Sequence, residues 1–316
     1  MRVVRSMVLT GAALALAVAA QAEVKKFEFA VIGDAPYGPA GGTPRVQIYP
    51  SAPYERMIAD INESLKDNKS FVIHVGDIKE GNSLCSNEVY AKNLEYFNTF
   101  DMAAVFVPGD NEWTDCHRTT NGSFDPLERL SLLRQTFYPN NETLGKRTLT
   151  VTRQSGYPEN SRWQYGQVLF VTLNMPGSNN GFQNANSAAG VPNIYRAAMD
   201  AEYAARNAAN VAWLNAAFDV AQNDSKIKGV FISIQANVFE RFLEGGQGYT
   251  ISGYSDFVTA LRSRTVALDR PVVLAHGDTH YYRLDRPMTG TYPACANGVQ
   301  SPCVAVAVPG SPTDRT

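Results

Sequence analysis

Short apolar runs that end in polar residues recur along the chain. Phe27 to Ile32, Phe71 to Val75 and Ala103 to Val107 are dense apolar runs, and a glycine-aspartate pair closely follows each one. Such runs predict buried β-strands. The segments between them, Tyr54 to Lys66 and Glu88 to Phe100, carry apolar residues at helical spacing. This alternation predicts a β-α-β-α-β unit with parallel strands.

The middle of the chain departs from that alternation. Asp125-Pro126 opens a predicted helix that runs to Leu133, because proline favours the first helical turn. Leu149 to Arg153 and Trp163 to Asn174 are predicted strands with no helix between them. The alanine-rich stretch Ala197 to Gln222 predicts one long helix.

The strand-helix alternation then returns. Gly229 to Ile234, Tyr254 to Arg262 and Val272 to Ala275 predict a strand, a helix and a strand, and Tyr281 to Leu284 a closing strand. Gly177 to Pro192 is rich in Gly, Asn and Ser, which predicts a long loop that could lie over a site. Since no linker or repeat is visible, we expect one domain over residues 23–316 with two sheets flanked by helices.

The first 22 residues have the pattern of a signal peptide. Arg2 and Arg5 precede the apolar run Met7 to Ala20, and Ala20-Gln21-Ala22 gives a small-x-small cleavage pattern. The alternative is a retained membrane anchor, but the apolar run is too short to span a bilayer. We therefore expect a mature chain that starts near Glu23, is periplasmic or secreted, and has no membrane span.

The charge of the mature chain is mild. Removal of the two arginines leaves 26 basic against 30 acidic residues, a net charge of −4. A dedicated nucleic-acid binder would show basic clustering, and none is present. The sequence does not predict an oligomeric state.

Four cysteines, Cys85, Cys116, Cys295 and Cys303, allow three disulfide pairings. A local Cys295–Cys303 bridge is the simplest choice, which leaves Cys85 with Cys116. A metal-binding role is the alternative, but no Cys-x-x-Cys pair exists. Export favours disulfides.

Polar clusters follow five of the predicted strands. Ligands bind at the carboxyl ends of strands in open α/β sheets, and a glycine before an acid lets the backbone turn sharply. The clusters are Gly33-Asp34, Gly76-Asp77-Ile78-Lys79-Glu80, Gly109-Asp110-Asn111-Glu112, Gln235-Ala236-Asn237 and Gly277-Asp278-Thr279-His280.

Four aspartates in one cleft would repel one another, and without a cation several would be forced to bind protons. Divalent metal ions remove this conflict, and carboxylate and amide oxygens are their preferred ligands. The alternative is that the aspartates are separate turn formers or helix caps. Their repeated placement after apolar strands favours a shared metal site.

The order and spacing of these clusters resemble the calcineurin-like metallophosphoesterase family over nearly all of the mature chain. The family pattern is Asp-x-His, Gly-Asp-x-x-Asp/Asn, Gly-Asn-His-Glu/Asp, a lone His and Gly-His-x-His. The resemblance implies a four-layer α/β/β/α sandwich with two mixed sheets. It also implies two metal ions, a bridging hydroxide that attacks phosphorus, and a small phosphorylated substrate.

The first two motifs carry over with one loss. The resemblance makes Asp34 the first metal ligand, while Pro36 takes the place of the histidine. Asp77 matches the bridging aspartate, and Glu80 stands at the last place of that motif. Glu80 is therefore an additional ligand candidate.

The later motifs exchange nitrogen for oxygen ligands. Asp110 stands at the metal-binding Asn, Asn111 at the catalytic histidine, and Gln235 or Asn237 at the lone histidine. Asp278 replaces the first histidine of the last motif, and His280 keeps the second. The resemblance thus implies one site of Asp34, Asp77 and His280, and a second of Asp77, Asp110, Asn237 (or Gln235) and Asp278. Such oxygen-rich sites favour Mn, Mg or Ca over Zn, with Fe also admissible.

The main departure from the family pattern is the absence of the catalytic histidine, whose place Asn111 takes. An amide such as Asn111 can hold a phosphate oxygen but cannot give a proton to a leaving group, so good leaving groups should react best. Glu112 is predicted to assist by accepting a bond from Asn111 or by positioning it. His74 and His276 are substitute candidates, although a satisfied core histidine is the favoured interpretation of each.

The predicted function is therefore metal-dependent hydrolysis of phosphate monoesters or diesters. The alternative is a non-catalytic relative of the same fold that binds a metal or a phosphorylated ligand. The changes at Pro36 and Asn111 are the reason to keep that alternative.

Overall fold

The structure, a computed structural model, describes residues 26–37, 40–41, 46–47, 51–66, 70–182, 194–239, 252–284, 286, 291–294 and 304–307. The strands are β1 (Phe29–Ile32), β2 (Ala40–Gly41), β3 (Val46–Gln47), β4 (Phe71–His74), β5 (Ala103–Phe106), β6 (Thr152–Gln154), β7 (Tyr157–Tyr165), β8 (Val168–Thr172), β9 (Gly229–Ser233), β10 (Val272–Ala275), β11 (Thr291–Ala294) and β12 (Val304–Ala307). The longer helices are α1 (Ser51–Ser64), α2 (Asn87–Phe97), α3 (Pro126–Phe137), α4 (Arg196–Asn223) and α5 (Ser255–Leu268). Two short 3₁₀ turns are Thr114–His117 and Thr119–Asn121.

The first sheet has the order β1-β4-β5, and its described strands are all parallel. The predicted β-α-β-α-β unit is therefore confirmed. All residues of β4 and β5 are buried, which explains why both strands are apolar except for His74. Because this sheet has only parallel strands among the described residues, the expectation of two mixed sheets is wrong for it.

The second sheet is mixed and has the order β10-β9-β8-β7-β6. Strands β8, β9 and β10 are parallel, while β7 runs antiparallel to both of its neighbours. The predicted single strand from Trp163 to Asn174 is wrong, because the chain reverses at Gly166, whose φ is 58°. The turn has only two residues, Gly166 and Gln167, so it interrupts the strand-like pattern too briefly for the pattern to separate two strands.

Some predicted boundaries were also wrong. Leu149 lies outside the strand predicted there, since β6 begins at Thr152. Helix α3 continues one turn beyond Leu133, to Phe137, and its N-cap Asp125 accepts a bond from the Leu127 amide. Residues 281–284 form no strand and are exposed.

Helices cover the outer face of each sheet. Side chains of α1, α2 and α3 pack on one face of the first sheet, around Val72 and Phe106. Side chains of α4 and α5 pack on one face of the second sheet, around Val230 and Ile232. A third cluster joins the remaining faces, where Phe71 of the first sheet meets Phe170 of the second at a ring-centroid distance of 5.0 Å.

The Cys85–Cys116 disulfide is confirmed, with a Cα–Cα distance of 5.7 Å. A disulfide of this kind fits an exported protein. The signal-peptide prediction for residues 1–22 and the predicted Cys295–Cys303 bridge lie outside the described residues. Among the helices that are described, none has the length and apolar character needed to cross a membrane.

Candidate metal centre

The aspartates that follow three strands adopt left-handed backbone conformations. Asp34, Asp77 and Asp278 have φ values of 53°, 59° and 76°, and His280 has 57°. Non-glycine residues rarely adopt such angles, and those that do cluster at functional sites. Hydrogen bonds from backbone amides join the strand ends. The Asp34 amide donates to the carbonyl of Gly76 at 2.9 Å, and the Asp278 amide donates to the side-chain oxygen Oδ1 of Asp34 at 3.0 Å.

The strand ends bring the acidic side chains into two groups that share one member. One ligand atom each from Asp34, Asp77 and His280 lie within 4.8 Å of one another. The same holds for Asp77, Asp110 and Asp278. His280 Nε2 lies 3.2 Å from Asp34 Oδ1. The structure thus brings together the five acidic and imidazole side chains that the sequence singles out as metal ligands.

The electrostatics of these groups suit a bound cation. Burial raises the pKa of Asp77 well above its ordinary value, and the neighbouring carboxylates, led by Asp110, raise that pKa further. Burial also raises the pKa of Asp34, although His280 opposes the shift. Ionised carboxylates at these distances need a positive charge between them. The two acidic groups could therefore hold metal ions, and their oxygen-rich donor set fits hard divalent ions.

A tight turn after β8 covers the second group. Ser178, Asn179 and Asn180 have φ values of 48°, 59° and 61°, and all three are buried. A Cβ on Gly177 would lie 2.7 Å from Asp110 Oδ2 and 2.8 Å from an oxygen of Asp278, so a side chain does not fit there. Of the predicted covering loop, Gly177 and Ser178 thus lie against the acids, and residues 183–192 lie outside the described residues.

Ser178 also connects the second group to residues that the sequence did not single out. Its Oγ lies 2.7 Å from Asp110 Oδ2 and 2.9 Å from Asp115 Oδ2, and Arg118 donates to it at 3.2 Å. Arg118 also pairs with Asp115 at 2.8 Å. Burial raises the pKa of Asp115 to about 7, Asp110 adds to the shift, and Arg118 opposes it. Asp115 lies only five residues after Asp110, which is the signal that could have revealed it.

The side chain of Gln235, rather than that of Asn237, faces the acids. Gln235 Nε2 lies 3.4 Å from Asp110 Oδ1 and 3.4 Å from Asp278 Oδ1, while its Oε1 accepts a bond from the Gly177 amide. Asn237 Oδ1 instead accepts from the Phe239 amide at 3.1 Å. Gln235 thus presents its amide hydrogens, rather than its oxygen, to two carboxylates, and which of Gln235 and Asn237 would bind a metal ion stays open.

Asn111 and Tyr37 lie against the shared aspartate. Asn111 Nδ2 donates to Asp77 Oδ2 at 2.9 Å, and the Tyr37 hydroxyl donates to the same oxygen at 3.0 Å. The hydroxyl also accepts from Asn111 at 3.2 Å and lies 3.5 Å from His280 Nε2. Burial and then Asp77 raise the pKa of Tyr37, which keeps the phenol protonated. Tyr37 was not among the predicted site residues, although it lies three residues after Asp34, the first ligand candidate.

Glu112 does not accept a bond from the Asn111 side chain, which was one of its two predicted roles, and the other, that it positions Asn111, stays a prediction. Its Oε2 accepts from the Gly109 amide at 2.9 Å, and its Oε1 accepts from the Ile78 amide. The side chain is fully buried, and burial raises its pKa to about 7. Glu112 therefore holds together the turns that carry Asp77 and Asp110, rather than bonding to the Asn111 side chain.

The remaining candidates lie outside both groups. His74 is fully buried, with Nε2 2.7 Å from the Ala35 carbonyl and Nδ1 accepting from the Gly76 amide at 3.2 Å. Burial lowers its pKa to about 4, so it is a neutral core histidine, as the sequence favoured. His276 contacts the Gly277 carbonyl at 3.2 Å, and neither acidic group includes it or Glu80 among the described residues.

The Cys85–Cys116 bridge supports the Asn111 backbone. Cys85 Sγ lies 3.4 Å from the carbonyl oxygen of Asn111, and Cys116 Sγ lies 3.3 Å from that of Glu112. Both cysteines are fully buried. The bridge thus constrains the segment that runs from Asp110 to Cys116.

Fold and site together define an α/β protein with an acidic centre, at the ends of its parallel strands, that could hold a metal ion. In comparisons with known proteins, the chain matches no protein-family model, no curated protein and no solved structure.

Proposed function

We propose that this chain is an exported, periplasmic or secreted, metal-dependent hydrolase of phosphate monoesters or diesters. One observation carries the proposal: two groups of ligand-type side chains, each within 4.8 Å, share Asp77. A carboxylate between two cation sites is the arrangement by which paired divalent ions clamp a phosphoryl group. The substrate is a small phosphorylated molecule.

The proposal includes the four-layer α/β/β/α sandwich of the calcineurin-like metallophosphoesterases. Its support is the order of the buried clusters, in which helices, first sheet, second sheet and helices follow one another. The position of the acids at the carboxyl ends of strands from both sheets agrees with that architecture.

The donor set assigns the ligands of two divalent ions, for which Mn, Mg or Ca is favoured over Zn. Asp34, Asp77 and His280 would hold the first ion, and Asp77, Asp110 and Asp278 the second. When bound, such ions supply an activated water and polarise the phosphoryl oxygens. Gln235 directs amide hydrogens at two of the carboxylates and so limits their repulsion.

The chain's own residues would orient the substrate. The Asn111 amide donates to the shared aspartate and could exchange that bond for one to a phosphate oxygen. Tyr37 adds a second donor at the same place. Asn111 cannot protonate a leaving group, so esters of acidic alcohols such as 4-nitrophenol should react fastest.

A second candidate function is binding of a phosphorylated ligand without turnover. The observation that favours it is the amide at position 111, whose nitrogen is already bonded to Asp77, Tyr37 and the Lys79 carbonyl. In that case metal and phosphate would bind, but the ester bond would persist.

Hydrolysis of 4-nitrophenyl phosphate and bis(4-nitrophenyl) phosphate by the purified mature protein distinguishes the two. We expect turnover with Mn²⁺, no turnover in EDTA, and loss of turnover in Asp77→Ala. Asp101→Asn is the matched control, because Asp101 is exposed and pairs with Lys146 on the surface. Bound Mn²⁺ with no turnover of either ester would favour the binding function, and turnover that persists in Asp77→Ala would refute the hydrolase assignment.

A further inference from the structure

A cavity of about 600 Å³ opens beside the first acidic group. Asp34, Tyr37 and His280 form one end of its wall. The Tyr37 and His280 rings meet edge to face at a centroid distance of 5.3 Å, and both also lie at the first acidic group. A ligand whose phosphate lies at Asp34 and His280 therefore has this space next to it.

The cavity is the open end of the space between the two sheets. Ala30 and Ile32 of β1 pack towards the helices, so the alternation of a strand directs Val31 towards the second sheet. Val272 and Leu274 of β10 pack towards the opposite helices, which directs Val273 towards the first sheet. Both valines face the sheet interface, yet they are 41% and 47% exposed.

Exposed valine side chains in a cavity wall are stabilised when an apolar group of a ligand covers them. The aromatic cluster that fills the sheet interface elsewhere does not include Val31 or Val273. Tyr282 and Leu284 add further exposed apolar surface to the wall. Among the described residues that line the cavity, Asp34 is the only carboxylate. Ligand sites characteristically combine an apolar wall with a few convergent polar groups.

We propose that this cavity binds the aromatic group of an aryl phosphate ester while the phosphate lies at the acidic centre. The inference rests on the proposed function and adds the class of alcohol that is esterified. An aromatic ring fits the volume and covers both valines, whereas a sugar or a second phosphate would leave them exposed. Phosphates of small polar alcohols are thus poorer ligands.

Two non-hydrolysable probes test this without turnover. Titration calorimetry of the mature protein in excess Mn²⁺ gives the affinities for phenylphosphonate and methylphosphonate, which share a phosphonate and differ in the apolar group. We expect phenylphosphonate to bind about tenfold more tightly or better, because the ring is removed from water. Val273→Asp should remove that preference and leave methylphosphonate affinity unchanged.

Val266→Asp is the matched control, since Val266 lies on α5, outside the cavity wall, and is 42% exposed. If Val273→Asp does not fold, Val273→Ser removes apolar surface without adding charge and should reduce the preference.

The outcomes separate the two proposals. Equal affinity for both phosphonates would overturn the assignment of the cavity and leave the phosphate-binding centre in place. Binding of neither phosphonate would overturn the proposed function as well. A phenyl preference that survives in folded Val273→Asp and Val273→Ser would place the ring elsewhere and refute the inference.

Discussion

Replacement of Asp77 by asparagine should change stability in opposite directions with and without metal. Asp77 is the carboxylate shared by both acidic groups. Asparagine keeps one oxygen, which can still accept the bonds from Tyr37 and Asn111. The substitution therefore removes the charge, one ligand atom and the oxygen that lies 3.4 Å from the Asn111 backbone amide, and it leaves the packing nearly unchanged.

The magnitude follows from the spacing. Two ionised carboxylates 4.8 Å apart, the limit of each group, repel by roughly 3 kcal/mol at an effective dielectric constant of 20. Proton uptake relieves part of this repulsion, so we expect Asp77→Asn to stabilise the metal-free protein by about 2 kcal/mol. That corresponds to a rise in Tm of roughly 4 °C for a chain of this size.

With metal, the order should reverse. Binding at a hundredfold excess over the dissociation constant stabilises a protein by about 2.7 kcal/mol, and the variant should lose most of that gain. Thermal unfolding at pH 7.5, in EDTA and in Mn²⁺, measures both differences. The expected result is a higher Tm for the variant in EDTA and a higher Tm for the wild type in Mn²⁺.

Glu112→Gln is the control for a buried acid in the same region. Glu112 accepts two backbone amide bonds, and glutamine replaces one of its acceptor oxygens with a donor. This variant should lose about 1–3 kcal/mol in both media. If Asp77→Asn behaves in the same way, destabilised equally with and without Mn²⁺, the acids form a structural cluster and the metal assignment is refuted.

Three further results are expected. The metal-free protein should lose stability as the pH rises from about 4.5 to 7. The folded pKa values of Glu112 and Asp115 are both raised to about 7, so the folded state binds protons more tightly than the unfolded state. Measurement of Tm in EDTA across this pH range checks the prediction, and a flat or rising Tm would contradict it. Gly177→Ala should lower the bound Mn²⁺ from about two ions to one, because the new Cβ would lie 2.7 and 2.8 Å from carboxylate oxygens of the second group. The control Gly156→Ala, whose Cβ would have open space around it, should keep both ions, and metal analysis of both variants checks this. Cys116→Ser should cost about 2–4 kcal/mol in thermal unfolding and also lower kcat, because the bridge supports the Asn111 backbone; an unchanged kcat would show that the segment holds its shape without the bridge.

Local sequence signals predicted the elements better than their ends. The buried strands β4 and β5 were predicted because a strand with both faces covered is nearly continuously apolar. The β7–β8 hairpin was missed because its turn at Gly166 interrupts an otherwise strand-like run. Residues 281–284 have strand-like composition, but strand formation depends on a partner that composition does not specify.

Within the site, the residue types were predictable and several contacts were not. Asp34, Asp77 and Asp110 each follow a strand of the first sheet, so their convergence follows from parallel strand order, whereas Asp278 and His280 follow β10 of the second sheet. The partners of Glu112 depend on how two turns approach each other, at distances of tenths of an ångström. Periodicity carries no information at that scale.

The sequence by itself determined which acids end the strands and that most of the candidate ligands are oxygen donors, because both depend only on residue type and local order. Only the tertiary structure decided that Asp77 belongs to both groups, that Gln235 rather than Asn237 faces the acids, and that the turn at Gly177 covers the second group. The physical reason is that these contacts join segments more than thirty residues apart. Their geometry is set by the packing of one sheet on the other, which no single stretch of the chain encodes.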